Sequence, residues 1–131
     1  MRNKSVILIC FVGLLVAAVL LNGCSKQVSS STVVGRYIAN HKQAVDVLDV
    51  KPDGTYILNY SPSQGKGVTN MGTWTFEYRN GEPRLAFSKF IFGLSKYGAG
   101  GSATWDVEIE QSGGKMKLCI DPDLGYFYEK Q

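Results

Sequence analysis

The chain has 131 residues, a formal net charge of +3, 44% hydrophobic and 11% aromatic side chains, and three cysteines. That length fits one domain. The apolar and aromatic content argues against intrinsic disorder and coiled coil, and three cysteines do not make a disulfide framework.

The N-terminus opens with Met1-Arg2-Asn3-Lys4, continues as an apolar run from Val6 to Leu21, and closes on Leu21-Asn22-Gly23-Cys24. A basic stretch, an apolar stretch and small residues in that order read as a secretory signal. The run is short of the about 20 residues that a transmembrane helix needs. Leu21-Asn22-Gly23-Cys24 resembles the lipobox of bacterial lipoproteins. The resemblance implies cleavage between Gly23 and Cys24, a diacylglyceryl group on the Cys24 sulfur and an acyl chain such as palmitate on the new amine. Ser25, rather than Asp, follows the cysteine; by resemblance to enterobacterial lipoproteins this implies an outer-membrane lipoprotein facing the periplasm, in a Gram-negative host. Each buried methylene contributes about 0.8 kcal/mol, so three chains anchor a domain to its membrane essentially permanently.

Loss of the 23 residues before Cys24 leaves 108, with 12 basic side chains against 11 acidic once Arg2 and Lys4 are gone. That balance offers no basic field for nucleic acid. Cys10 leaves with the signal and Cys24 is consumed, so Cys119 is the one remaining thiol. The chain therefore divides into a signal peptide (1–23), a lipidated tether (24–32) and a single folded domain (33–131), expected to be monomeric.

From Val33 onward the hydrophobic period is two. Trp74, Phe76 and Tyr78 alternate with polar residues, as do Trp105, Val107 and Ile109, and Met116, Leu118 and Ile120. This is the pattern of strands with one buried and one wet face, and no helical period competes with it. A first strand is expected at about Val33–Ala39. Lys51-Pro52-Asp53-Gly54 suits a type I turn followed by a left-handed glycine, setting Leu48 opposite Leu58 and Val50 opposite Tyr56. Asn80-Gly81 suits a type I′ turn, which sets Trp74 opposite Phe87, Phe76 opposite Leu85 and Glu77 opposite Arg84. Gly113-Gly114 likewise sets Ile109 opposite Leu118 and Glu110 opposite Lys117. A last turn at 121–125 precedes a closing strand, Tyr126 to Lys130. The prediction is an all-β domain, an antiparallel meander of about eight strands curled into a small barrel or barrel-like sandwich to hide its edges.

Gly35-Arg36-Tyr37, Asp53-Gly54-Thr55-Tyr56 and Gly72-Thr73-Trp74 each open a predicted strand. In this the segment from Val33 onward resembles the lipocalin-like domains of small bacterial lipoproteins. The resemblance implies a barrel whose interior can hold a small apolar ligand.

Residues that could carry chemistry are few. His41, the one histidine, has no second histidine or cysteine at ligand spacing and no nucleophile motif to serve; it reads as a loop residue. Asp121 and Asp123 bracket Pro122 without the spacing of a calcium loop, and aspartates at turns satisfy local N–H groups. Asp46 with Asp49, and Glu108 with Glu110, are spaced as strand-surface charges. Cys119 shares a face with Lys115 and Lys117. An exposed thiol there would be activated, and one covered by its neighbours would be inert; the covered state is expected. No catalytic residue, metal site or cofactor is predicted.

Two segments exceed tight turns. Ser61 to Asn70 reads as a polar loop. Phe90 to Ser102 places Phe90, Ile91, Phe92, Leu94 and Tyr97 among glycines, and long loops in small domains often carry function. The expected function is a membrane-anchored, non-catalytic binding module of the cell envelope. A protein partner predicts a filled barrel with contacts at Phe92 and Tyr97. A carrier of a small apolar ligand predicts an open interior lined by Tyr37, Trp74 and Trp105. An immunity or inhibitor protein against an envelope enzyme is a further form of the same class.

Overall fold

The computed structural model describes residues 27–40, 44–91 and 103–131. One helical turn, α1 (Ser30–Val33), precedes eight strands: β1 (Gly35–Ala39), β2 (Ala44–Val50), β3 (Thr55–Pro62), β4 (Val68–Arg79), β5 (Glu82–Phe90), β6 (Ala103–Ser112), β7 (Lys115–Asp121) and β8 (Tyr126–Lys130). Each strand pairs with the next in antiparallel sense, and β8 returns to β1, so the sheet closes as an up-and-down barrel. Closure removes both sheet edges, the reason an eight-strand meander curls rather than lying open.

The turn residues set the registers expected of them. Asn80 and Gly81 take φ of 54° and 85°, and Trp74 faces Phe87, Phe76 faces Leu85 and Glu77 faces Arg84. Ile109 faces Leu118 and Glu110 faces Lys117 across the Gly113-Gly114 turn. Leu48 faces Leu58 and Val50 faces Tyr56 across the Lys51–Gly54 turn. In each case the buried residues fall on one face, as a period of two requires.

Three local expectations are corrected. The tether does not extend as free chain to Thr32. Ser29 caps α1, with its side chain accepting from the Thr32 N–H while the Thr32 hydroxyl accepts from the Ser29 N–H, and Val33 is fully buried. The first strand accordingly starts at Gly35 rather than Val33. Half of the segment Ser61–Asn70 is strand, since β3 runs to Pro62 and β4 begins at Val68, which leaves 63–67 as the loop.

An eight-stranded barrel has an interior just wide enough to be filled by side chains. Here Tyr37, Tyr56, Phe87, Leu48, Leu58, Leu85, Leu118 and Val107 are buried to 2% exposure or less within one contiguous cluster. Tyr56 meets Phe87 edge-on at 5.2 Å between ring centroids and lies 5.6 Å from Phe90. Outside, Arg79 bridges Glu77 and Asp106, and Arg84 reaches Asp106 at 3.6 Å and Glu108 at 3.8 Å. Apolar inside and charged outside on this wall is the reverse of the lipid-facing pattern of a membrane-spanning barrel.

The two ends of the barrel differ. One end, the turn end, carries α1 and the connections 51–54, 80–81 and 113–114. The other, the loop end, carries the connections 40–43, 63–67, 91–102 and 122–125.

Candidate functional site

Tyr37 and Trp74, expected to line an open cavity, instead complete the packing near the turn end. The Tyr37 hydroxyl donates to the Val33 carbonyl at 2.6 Å and approaches the Met116 sulfur at 3.3 Å. Burial raises its pKa far above the ordinary value. The Trp74 indole N–H donates to the Lys51 carbonyl at 2.9 Å, while its backbone N–H donates to Gly54. Both polar tips are thereby satisfied within the wall, which is what a buried Tyr or Trp requires. Trp105 is half-buried on β6, opposite Phe87.

Toward the loop end the interior becomes polar. The Tyr56 hydroxyl donates to the Ser88 carbonyl at 2.7 Å and lies 3.0 Å from the Asn70 side-chain oxygen. Asn70 donates from its amide to the Lys89 carbonyl at 3.0 Å and accepts from the Ile91 N–H at 3.1 Å. These bonds hold a bulge in β5 between Phe87 and Phe90, where Lys89 adopts a left-handed φ of 53°. A bulge adds one residue, bends its strand and re-aims the chain beyond it. Gly72 makes room for the bulge: a Cβ there would lie 2.4 Å from the Ser88 carbonyl oxygen and 2.9 Å from the Tyr56 hydroxyl.

Asp46 is a further correction of placement. Its spacing suggests a surface charge, yet it shares the inward face of β2 with Leu48 and Val50 and is 2% exposed. It accepts a hydrogen bond from Tyr128 on β8. The Tyr128 pKa lies well above its ordinary value, first through burial and then through the Asp46 charge and hydrogen bond. Parity with Leu48 and Val50 is a signal in the sequence for this inward position, one that the i, i+3 spacing to Asp49 obscures.

Cys119 is half-buried, between Glu108 on β6 and Phe127 on β8. Burial, reinforced by Glu110 and Glu108, pushes its thiol up to about 12 against the smaller opposing pull of Lys117. The activating effect of lysine is therefore outweighed, and the thiol is partly covered by its neighbours, an environment that disfavours the thiolate. Asp121 accepts from the Leu124 N–H at 3.2 Å, a turn-closing bond. Glu108 and Glu110 face outward on β6, Glu108 toward Arg84. Gly23, Cys24, His41, Phe92 and Tyr97 lie outside the described residues.

The class these observations define is an eight-stranded antiparallel closed barrel with a filled aromatic interior and a buried polar network under one end. Comparison with protein-family models, with curated proteins and with solved structures finds no match to this chain.

Proposed function

We propose that this chain is a lipid-anchored lipoprotein of the bacterial envelope that works as a non-catalytic interaction module, engaging a protein partner at the loop end of its barrel. The anchor rests on Leu21-Asn22-Gly23-Cys24. The mode of action is supported by one observation above all. The chain enters at the turn end, where Tyr78 donates to the Val28 carbonyl at 2.8 Å, and every longer connection lies at the other end.

Cys24 is four residues from Val28, a reach of at most about 14 Å. A lipid on Cys24 would hold the turn end against its leaflet and direct the loop end into the periplasm. The protein-partner form is favoured over the carrier form because Tyr37 and Trp74 spend their polar groups and surface on wall packing. By the same chemistry, the partner is an envelope protein such as an assembly component, or an enzyme that this chain inhibits or neutralises.

Photocrosslinking in intact cells tests this directly. A crosslinking residue at position 92, 97 or 68 is expected to trap a discrete protein adduct, and one at position 80 is not. Adducts at position 80 alone, or at no position, would overturn the loop-end assignment. Saturable uptake of a fluorescent fatty acid by the purified protein would replace it with the carrier form.

A further inference from the structure

Three side chains from three strands hold the segment that leads into β1, each through a main-chain carbonyl. Tyr78 on β4 donates to Val28 at 2.8 Å, Lys130 on β8 donates to Thr32 at 2.5 Å, and Tyr37 on β1 donates to Val33 at 2.6 Å. A helix of one turn leaves its last carbonyls without intrahelical partners, and Lys130 and Tyr37 supply them. Val33 is the buried side chain of α1, and Val28 and Val34 rest partly buried against the same core. The segment lies on the turn end as a bound peptide would, held by its backbone and one apolar side chain.

This hold differs in kind from that of the strands. No ladder pairs α1 with a strand, whereas every strand of the closed barrel is paired on both sides. A single helical turn does not persist in water by itself. Docking also withdraws the Lys130 ammonium partly from water, which lowers its pKa; release would rehydrate it. A region with few buried apolar contacts opens before a laddered core does. Gly35 stands at the junction with φ of 149°, a value that favours glycine, and the Lys130 Cε lies 2.6 Å from the place of its absent Cβ. A small residue at the end of an element suits a hinge.

We propose that residues 28–34 form a releasable strap, docked on the turn end in one state and free in the other while the barrel stays closed, with Gly35 as the hinge. The strap sets the reach of the domain. With it docked, the first held residue after Cys24 is Val28. With it released, the first is Gly35, eleven residues from Cys24, a span of at most about 40 Å against about 14 Å. A lipid-anchored barrel would then meet partners at two heights above its leaflet. That consequence rests on the proposed anchoring; the strap itself does not.

Amide hydrogen exchange, followed by NMR on the full chain in neutral detergent micelles, tests the strap. The Thr32 and Val33 amides, both bonded to the Ser29 carbonyl, report its docking, and the β4–β5 hairpin amides report the barrel. In the wild type the strap amides are expected to be protected, yet to exchange roughly a hundredfold faster than the hairpin. Val33→Asp is expected to speed them about tenfold more while the hairpin keeps its protection. Tyr78→Phe, at an exposed position, removes one bond to the strap and is expected to act in the same direction by about twofold or more. Strap amides that exchange only as fast as the hairpin, or that quicken in Tyr78→Phe together with every strand, would overturn the proposal. So would wild-type strap amides without protection, or ones unmoved by Val33→Asp. Palmitate labelling of wild type and Cys24→Ser reads the anchoring separately, so failure of one does not imitate failure of the other.

Discussion

At Gly72 a methyl group would have to occupy space already held by the Ser88 carbonyl and the Tyr56 ring. The first of these is backbone in a bulge and cannot swing aside. Gly72→Ala is therefore expected to lower stability by about 1–3 kcal/mol, the cost of overpacking a filled site, read as a fall in the urea midpoint. Cys119 makes a different kind of residue-scale prediction. Its thiol is raised from an ordinary 9 to about 12, and the Tyr56 phenol from 10 to about 12. Both groups stay protonated in the folded state over a range where the unfolded chain ionises. Their contribution is complete below pH 9 and is lost as pH rises from 9 toward 12. The urea midpoint should hold steady from pH 7 to 8.5 and then fall, with Cys119→Ala flattening the first part of the decline. Iodoacetamide at pH 8 should modify Cys119 far more slowly in the folded protein than in urea. Equal rates in the two states would remove the covered-thiol account.

The hairpins are where structure is most legible from sequence, because two signals coincide there. A turn such as Asn80-Gly81 fixes which residues pair, and a period of two then decides whether those pairs are chemically sensible. Gly81 has φ of 85° and open space around its missing Cβ. Gly81→Ala thus isolates the backbone cost of a left-handed residue, about 1–2 kcal/mol. Thermal unfolding should report that loss without any change in the near-ultraviolet signal of Trp74 and Trp105. Other elements carry weaker signals. The cap on α1 joins Ser29 to Thr32 rather than to the acidic or amide partner of a usual capping box, so the serine-rich run looks like plain linker. The β5 bulge places Lys89 at positive φ, a conformation that a lysine does not advertise; it is imposed by Asn70 and Tyr56 from strands nearby only in three dimensions.

On the scale of the whole molecule, closure depends on a seam of modest length. β1 and β8 share three register pairs, Tyr37 with Lys130, Ile38 with Glu129 and Ala39 with Tyr128. Asn40 extends it beyond the strand: its backbone N–H donates to the Phe127 carbonyl at 3.0 Å, its side-chain oxygen accepts from the Phe127 N–H at 3.1 Å, and its amide donates to the Gly125 carbonyl at 3.0 Å. At the opposite end the Gln131 N–H donates to the Arg36 carbonyl at 2.9 Å. A barrel that parts here exposes two edges at once, so the seam is the natural place for a sub-global opening. Asn40→Ala removes two side-chain hydrogen bonds and should cost about 1–2 kcal/mol. Hydrogen exchange locates the effect. The β1 and β8 amides should exchange faster than the wild type while those of the β4–β5 hairpin keep their protection. Uniform acceleration through all eight strands would mean instead that the barrel opens only by unfolding completely.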